Sequence, residues 1–297
     1  MSKFLVYTCC FYQQTYVDIV SHLINSFENS GSRADFLVYT TTEYKYLIQK
    51  KCPNANILFF EKSFYKTMNQ ARIAKMDIFD YPNVDQYDKI LYVDADSLFL
   101  KPPEEIFNQI VDDNVYAMGE GNLMNEGEYW GRSLFLKESA DYKDGEGIAS
   151  SVLAFKNLQQ IKKQFIKIKQ SFYLDMYQNK LLFYDQPFLN FHFLHNNMCN
   201  KEMLKAFVKS RPTAEEALKA GLTIVHFSGC PGHGDVKLNL IREFKEGLEK
   251  SMPKLEIKEE VEKSFTKQDL TRDTVFQIKV QLNELREKIA AIEALLA

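Results

Sequence analysis

The 297-residue sequence lacks the long apolar runs that membrane-spanning helices need. No stretch approaches the roughly 20 consecutive apolar residues that cross a bilayer, so the sequence predicts no membrane span. The opening stretch, MSKFLVYTCCFYQQTY, has a short apolar segment interrupted by polar residues, which is unlike a signal peptide. A basic block is also missing, and the net charge of -3 is spread along the chain. Nucleic-acid binders normally show clustered basic surface, so the sequence predicts no nucleic-acid partner.

Cysteine is scarce, and its spacing fits neither a disulfide framework nor a zinc site. The five cysteines are odd in number and form no metal-binding pattern. Cys9 and Cys10 are adjacent in a predicted strand and are expected to point to opposite faces of it. We therefore expect five reduced thiols in a cytoplasmic protein: Cys9, Cys10, Cys52, Cys199 and Cys230.

What the sequence does contain is an alternation of strand and helix patterns. Hydrophobic residues make up 45% of it, enough for a sizeable core. Strands separated by helices form βαβ units, so the pattern predicts an α/β fold whose ligand lies beyond the carboxyl ends of parallel strands. The predicted strands are residues 3–8, 34–40, 56–60, 87–100, 115–121, 151–157 and 222–229. The predicted helices are 17–27, 42–50, 69–79 and 158–179, and 184–194 begins as a loop and enters a helix.

A long polar segment interrupts this pattern at residues 122–147. It contains four glycines and the single tryptophan of the chain, Trp130. Such a segment is typical of a functional loop or lid rather than a linker.

The last 25 residues have a different pattern. Apolar residues recur at alternating steps of three and four, which is a heptad repeat: Val275, Ile278, Leu282, Leu285, Ile289, Ile292 and Leu296. We expect a first, large domain over residues 1–249, a charged connector over 250–272 and a coiled-coil oligomerisation helix over 273–297. Isoleucine at two d positions disfavours a simple dimer. The alternative is an amphipathic helix packed on its own domain.

Two aspartates follow the apolar strand ILYV within the segment YDKILYVDADSLFL. Asp94 and Asp96 lie at a strand end, where two carboxylates can converge on Mg²⁺ or Mn²⁺. A second predicted strand, TIVHF, ends at His226 and leads into a glycine-rich turn followed by Lys237. Free backbone N–H groups in such a turn suit phosphate. An isolated D-x-D in a solvated turn and a histidine buried in the core are the simpler readings of each feature alone.

Six segments in this order together resemble glycosyltransferase family 8, a family of retaining enzymes with the GT-A fold. The resemblance covers about residues 3–245. The segments are LVYTCCFYQQTY, ARIAKMDIFDY, ILYVDADSLFL, IASSVLAFKN, FYDQPFLN and VHFSGCPGHGDVK.

The resemblance implies a GT-A fold, a Rossmann-like mixed sheet flanked by helices. It also implies transfer of a hexose from a UDP-sugar, UDP-glucose or UDP-galactose, to a glycan or protein acceptor. By the same resemblance Mn²⁺ or Mg²⁺ would be held by Asp94, Asp96 and His226. The implied catalytic residues are Asp185 and Gln186, near the reacting carbon of the sugar, and Arg72, which would face the donor sugar or phosphate. The implied donor contacts are Thr8, Tyr16, Lys75, Asp94, Ala95, Asp96, Ser150, His226, Gly229 and Lys237.

The sequence departs from the family pattern at one segment, where the family's N-S-G is replaced by Ala149, Ser150 and Ser151. Tyr129 and Trp130 are candidates to stack on an acceptor sugar or, alternatively, to cover the core.

Two other functions are alternatives to sugar transfer. A nucleotidyltransferase would need a glycine-rich basic loop after the first strand, where this chain has none. A catalytically weak GT-A scaffold, assembled through residues 275–296, would retain the same motifs.

Overall fold

The structure is a computed structural model, and it describes residues 3–63, 65–125, 127–137, 145–178, 184–229 and 233–251. The strands of these residues are β1 (Phe4–Cys10), β2 (Asp35–Thr40), β3 (Ile57–Glu61), β4 (Lys89–Val93), β5 (Ser97–Phe99), β6 (Val115–Asn122), β7 (Glu146–Lys156), β8 (Cys199–Asn200), β9 (Val208–Ser210) and β10 (Ile224–His226). The α-helices are α1 (Thr15–Asn29), α2 (Thr42–Lys51), α3 (Met68–Ile73), α4 (Glu104–Gln109), α5 (Arg132–Lys137), α6 (Gln159–Tyr177), α7 (Gln186–His195), α8 (Ala214–Ala220) and α9 (Gly234–Ser251). No helix in these ranges is both long and apolar enough to cross a membrane.

A seven-stranded mixed sheet in the order β3-β2-β1-β4-β7-β6-β8 forms the centre. The strands β3, β2, β1 and β4 run parallel, and β7 is antiparallel to both β4 and β6. After β3 the chain returns to the other side of β1, so the strand order reverses between β1 and β4. A crevice opens at such a reversal, beyond the carboxyl ends of the strands. The α/β mixed-sheet fold expected from the sequence is therefore confirmed.

Alternation along the central strands divides the core into two layers. Val6 of β1 and Leu91 of β4 belong to the layer covered by α1 and α9. Tyr7 and Tyr92, one residue further along each strand, belong to the layer covered by α6 and α7. Cys10 and Cys9 follow the same parity and lie on opposite faces, as the sequence predicts.

The segment predicted as one strand over residues 87–100 forms two strands in different sheets. β4 ends at Val93, the chain bends at Asp94–Asp96, and β5 then pairs with β10 in a three-stranded sheet ordered β5-β10-β9. The end of β4 agrees with the expectation that the two aspartates lie at a strand end, and the bend there turns the following apolar residues towards a second sheet. This bend is what separates the two carboxylates from the sheet core.

Several elements differ from the sequence-based expectations. The predicted helix 69–79 is α3 followed by a 3₁₀ helix at Ala74–Asp80, and the predicted loop 122–147 includes α5 and the first residues of β7. The short elements β8, β9 and α8 were not predicted. The last helix of the described residues, α9, continues to Ser251, two residues into the predicted connector. Cys230 and the predicted coiled coil at 273–297 lie outside the described residues.

Candidate active site

A cavity of about 490 Å³ opens beyond the carboxyl ends of β1 and β4. It is large enough for a nucleotide-sized ligand. Its wall includes aromatic, acidic and basic side chains from both halves of the large sheet, from the small sheet and from α1, α3, α7 and α9. Among the lining residues are Tyr12, Tyr16, Arg72, Lys75, Asp94, Ala95, Asp96, Glu120, Tyr129, Trp130, Ser150, Asp185, Gln186, His226, Gly229 and Lys237.

Backbone hydrogen bonds to strands of two different sheets fix the aspartates at the floor of the cavity. The backbone N–H of Asp94 donates to the carbonyl of Ser151 on β7 at 2.8 Å, so the first residue after β4 is still held by the large sheet. The carbonyl of Asp96 accepts from the N–H of Phe227 at 2.8 Å, which ties it to the strand end of β10. Asp94 is half-buried and Asp96 is buried. The bend between the two aspartates is therefore anchored by hydrogen bonds to both sheets.

The small sheet brings His226 to the same aspartates. His226 pairs with Ser97 across the antiparallel ladder of β10 and β5. Its Nε2 lies 3.4 Å from Oδ1 of Asp96 and 3.8 Å from Oδ2 of Asp94. Ser210 Oγ lies 3.4 Å from the other ring nitrogen, Nδ1. That partner suits a ring with Nε2 free to bind a cation.

The three side chains fit a divalent cation. One ligand atom from each of Asp94, Asp96 and His226 lies within 4.8 Å of the others. An octahedral ion with ligands at about 2.1 Å has adjacent ligand atoms about 3.0 Å apart and opposite ones about 4.2 Å apart. The two histidine–carboxylate distances fall between these limits. Two carboxylate oxygens and one imidazole nitrogen suit Mn²⁺ or Mg²⁺ and leave coordination positions open.

Lys237 of α9 neutralises the buried Asp96 directly, because its Nζ contacts Oδ2 of that carboxylate. Burial acts to raise the pKa of Asp96, but Lys237 and His226 outweigh burial and hold that pKa below its usual range. Burial conversely acts to lower the pKa of Lys237, and Asp96 raises it above the ordinary lysine value. Asp96 is therefore an anion and Lys237 a cation near neutral pH.

A second buried cation, Lys75, joins the metal-site aspartate to helix α7. Its Nζ lies 2.9 Å from Oδ2 of Asp185 and 3.4 Å from Oδ1 of Asp94, and it donates to the carbonyl of Ser150 at 2.9 Å. Burial acts to lower the pKa of Lys75, but Asp185 and Asp94 raise it above its usual value. Lys75 thus holds one carboxylate on each side of the cavity.

Gln186, the first residue of α7, is fixed by hydrogen bonds to two other parts of the cavity wall. Its Nε2 donates to the carbonyl of Tyr129 at 3.1 Å, and its Oε1 accepts from the N–H of Ser150 at 3.3 Å. Asn190, one turn later and fully buried, binds both backbone groups of Ile148 on β7, at 2.8 Å and 3.0 Å. The position of Asp185 and Gln186 therefore depends on this contact between α7 and β7.

The structure brings together all but one of the residues singled out from the sequence. Arg72 lies over the ring of Tyr184, at 3.4 Å from the ring centre, and also lines the cavity. Gly229 adopts a left-handed φ of +83°, and a Cβ there would lie 2.4 Å from Arg211. Thr8 is the exception. It is fully buried on the face of β1 that carries Val6, so its neighbour Cys9 lines the cavity instead.

Sequence reasoning did not single out several residues that line the cavity. Tyr12 has a positive φ of 77° in the turn after β1, and Glu120 lies at the open end of β6. Tyr92 approaches Asp94 from the large sheet, donating its hydroxyl hydrogen to Oδ1. Tyr92 was detectable, because in a strand it shares a face with Asp94, two residues on.

Comparison with known structures shows which proteins share this fold. The chain is similar to the galactosyltransferase LgtC in complex with donor and acceptor sugar analogs, with a TM-score of 0.52 and 15% identity over 81% of this chain and 96% of that chain. An active-site mutant of LgtC gives the same TM-score and identity over 80% and 94%. The bifunctional glycosyltransferase WbbM gives a TM-score of 0.51 and 14% identity over 84% of this chain, which spans 51% of the length of WbbM.

No protein-family model matches the chain, and no curated protein sequence matches it significantly. The similarity is therefore one of three-dimensional structure at low sequence identity. It agrees with the resemblance drawn from the six sequence segments. The described residues have the GT-A fold found in these glycosyltransferases.

Proposed function

We propose that this protein is a metal-dependent glycosyltransferase that moves a hexose from a UDP-sugar to a glycan or protein acceptor with retention of configuration. The observation that carries the proposal is the cluster of Asp94, Asp96 and His226, whose ligand atoms lie within 4.8 Å of one another on the floor of the cavity. UDP-glucose and UDP-galactose are the proposed donors. The fold shared with LgtC and WbbM supports the reaction class.

The proposed chemistry follows from where charge develops. Cleavage of the bond between sugar and UDP leaves negative charge on the diphosphate and positive charge on the sugar ring. When bound, Mn²⁺ or Mg²⁺ would supply a Lewis acid for the leaving diphosphate. Lys237 adds a second cation beside it, and the left-handed turn at Gly229 turns its backbone towards the cavity. Arg72 offers a third positive charge in the same wall.

We assign stabilisation of the developing positive charge on the sugar to two residues at the start of α7. Asp185 provides a carboxylate and Gln186 an amide oxygen in the cavity wall. These groups carry full or partial negative charge, opposite to that of Lys237 and Arg72. We assign Asp185 an electrostatic role and no covalent one, because Lys75 already pairs with its Oδ2 at 2.9 Å. Tyr16, which is half-buried in the wall, is assigned to stacking on the uracil ring.

Release of UDP in the presence of Mn²⁺ tests the proposal. The protein is incubated with Mn²⁺ and, separately, with UDP-glucose, UDP-galactose and other UDP-sugars, each with water alone or with added saccharide or peptide acceptors to take the hexose, and free UDP is measured. Sugar-dependent UDP release that EDTA abolishes supports a glycosyltransferase. Pyrophosphate release from UTP and a sugar 1-phosphate identifies a nucleotidyltransferase instead. Binding of UDP-sugars without any turnover identifies a non-catalytic scaffold.

The proposal includes a reducing cellular compartment, the cytoplasm. Four cysteines of the described residues, Cys9, Cys10, Cys52 and Cys199, are free thiols. Burial raises the pKa of Cys199 to about 12 and also raises the pKa of Cys9. Both thiols therefore stay protonated near neutral pH, which suits inert rather than reactive cysteines.

A further inference from the structure

Trp130 rests on a seat made by two glycines of neighbouring strands. A Cβ on Gly121 of β6 would lie 2.2 Å from Cε2 and Cζ2 of the indole, and a Cβ on Gly147 of β7 would lie 2.6 Å from its Cε3. The ring therefore spans the two strands and lies directly on their backbone. Only glycine leaves this space, and Gly121 also has a left-handed φ of +69° that favours glycine.

The seat holds the indole in the cavity wall instead of in the core. Trp130 is partly exposed and lines the cavity, and its neighbour Tyr129 is 44% exposed there. A Cβ on Gly127 would lie 2.1 Å from the Tyr129 ring, so this ring also lies against glycine backbone. A residue whose role was to cover the core would be buried; these two rings present aromatic surface to the ligand space.

The aromatic pair is fastened to the residue assigned to the reacting carbon. Gln186 donates to the carbonyl of Tyr129 at 3.1 Å and accepts from Ser150 at 3.3 Å. A molecule that stacks on Trp130 would thus be bound against the part of the cavity wall that also contains Gln186. Glu120, the residue before Gly121, also lines the cavity.

We propose that the acceptor is a saccharide and that one of its pyranose rings stacks on Trp130. This inference rests on the proposed glycosyltransferase function and specifies its acceptor. A pyranose has a face of C–H groups that packs on a flat aromatic ring, and hydroxyl groups around its edge that need hydrogen-bond acceptors. The indole of Trp130 supplies the flat aromatic surface, and Glu120 supplies hydrogen-bond acceptors for the hydroxyl groups. Trp130 is thereby a specificity-determining residue for acceptor binding.

Tryptophan fluorescence reports on this site directly, because Trp130 is the only tryptophan of the chain. The protein with Mn²⁺ and UDP is titrated with maltose, cellobiose and lactose, with glycerol as a polyol lacking a ring and with a serine- and tyrosine-containing peptide as a protein-type acceptor. We expect a saturable change in emission with at least one disaccharide and none with glycerol. A saturable change with the peptide alone, or with no probe, overturns the proposal.

Steady-state kinetics with the best disaccharide gives the second measurement. Trp130→Ala is expected to raise the acceptor KM about tenfold, the factor that corresponds to one lost ring-stacking contact, and Trp130→Phe to restore most of it. Gly147→Ala should act in the same direction, because its Cβ displaces the indole. The control Tyr46→Ala removes a ring that is 68% exposed on α2, and should leave the acceptor KM unchanged.

The two hypotheses fail in different ways. UDP release is measured in every preparation both with water alone and with the saccharide and peptide acceptors, so a wild-type protein that releases no UDP under any of these conditions contradicts the proposed function even if saccharides change the fluorescence. Wild-type turnover with an acceptor KM that is equal in Trp130→Ala, Trp130→Phe and wild type contradicts the stacking site alone. A variant that fails to fold is identified by circular dichroism, and Trp130→Phe then carries the test.

Discussion

Asp96 is the residue on which the proposed metal site depends most directly. Asp96→Asn keeps the size of the side chain but removes the negative charge that faces His226 and Lys237. We expect Mn²⁺ affinity to fall by about 100-fold or more. Losing a hydrogen-bond partner of a metal ligand typically lowers metal affinity by about 10- to 100-fold, and losing the ligand itself should lower it further. UDP release should be lost with it. Isothermal titration with Mn²⁺ measures the affinity.

Asp113→Asn is the matched control for this substitution. Asp113 pairs with Lys156 at 2.9 Å, and its side chain is 61% exposed. The control should bind Mn²⁺ as the wild type does. Unchanged Mn²⁺ binding in a folded Asp96→Asn protein would show that the ion, if any, is held elsewhere.

Lys237 has two opposing effects that a single substitution separates. Its ammonium group already satisfies one oxygen of Asp96, so an incoming cation meets a like charge beside its ligand. The same group is the proposed partner of the diphosphate. We expect Lys237→Met to bind Mn²⁺ several-fold more tightly in the absence of nucleotide and to bind UDP at least tenfold more weakly.

Lys250→Met, in the same helix and with a side chain 79% exposed, controls for loss of a positive charge at a distance. Titrations of Mn²⁺ alone, and of UDP at saturating Mn²⁺, give the two affinities. If Lys237→Met weakens both affinities equally, the lysine supports the fold of the site and does not compete with the ion.

At the scale of elements, the contact between α7 and β7 positions Asp185 and Gln186. Asn190 satisfies the N–H and the carbonyl of Ile148, both in the buried interior. Asn190→Ala leaves these groups without partners, and we expect a loss of about 2–4 kcal/mol in the free energy of unfolding. Because the start of α7 is then less well held, UDP release should also slow. Urea unfolding gives the stability.

Asn196→Ala is the corresponding control at the end of the same helix, where the exposed amide donates to the carbonyl of His192 at 2.6 Å. It should cost less than 1 kcal/mol, since water can replace the bond. An equal loss of stability in the two variants would argue against the buried clamp.

The packing of α7 on α6 predicts a pH dependence of stability. His192 of α7 lies 2.8 Å from Ser171 Oγ of α6, and burial, with Lys167 and His195, lowers its pKa to about 4. The unfolded chain, with a histidine pKa of about 6.5, binds more protons between these values. Stability therefore falls as pH falls through this range, by about 1–2 kcal/mol after allowance for partial exposure.

His192→Gln retains a side-chain contact for Ser171 but has no proton to bind. Urea unfolding at about pH 7 and about pH 4.5 should show a smaller loss of stability in this variant than in the wild type. His233→Gln, at an exposed position just before α9, is the control. A pH dependence identical in wild type and His192→Gln would remove the histidine from this explanation.

The sequence predicted long elements well and short ones poorly, for physical reasons. Periodicity needs several residues, so β1 and α1 were evident, whereas β8 and β9, with two and three residues, carry no readable period. The strand end at Asp94–Asp96 was expected, but the pairing of the following apolar residues with β10 in a second sheet was not, because a partner more than 120 residues away leaves no local pattern. Thr8 was assigned to the cavity because its motif is at the end of β1, but which face of the strand meets the ligand depends on the packing of the sheet.

At the scale of the whole molecule, the candidate site depends on contacts between residues far apart in sequence. Asp94 leaves the large sheet, His226 ends a strand of the small sheet, and Lys237 belongs to α9, which packs on α1. Each was visible in the sequence as a residue type at an element end. Their convergence was accessible only through the family resemblance, because no local pattern relates residues more than 130 positions apart.

Removing the predicted coiled coil would show whether the candidate site depends on assembly of several chains. We expect the full chain to form a homo-oligomer through residues 275–296, since the heptad positions leave an apolar seam that a partner helix covers. Deletion of residues 273–297, or Leu285→Glu at a d position, should reduce the mass measured by light scattering to that of one chain. Glu287→Ala, at a position outside the seam, should leave the oligomer intact.

UDP release should continue in the truncated protein, because the last residue of the described cavity wall is Lys237 and α9 ends at Ser251. Assembly would then raise the number of active sites per particle and not complete each site, which favours acceptors with several sugar ends through multivalent binding. A full-length protein with the mass of a single chain would exclude the coiled coil. Loss of UDP release on truncation would instead mean that the tail supports the catalytic domain, as the alternative of a helix packed on its own domain predicts.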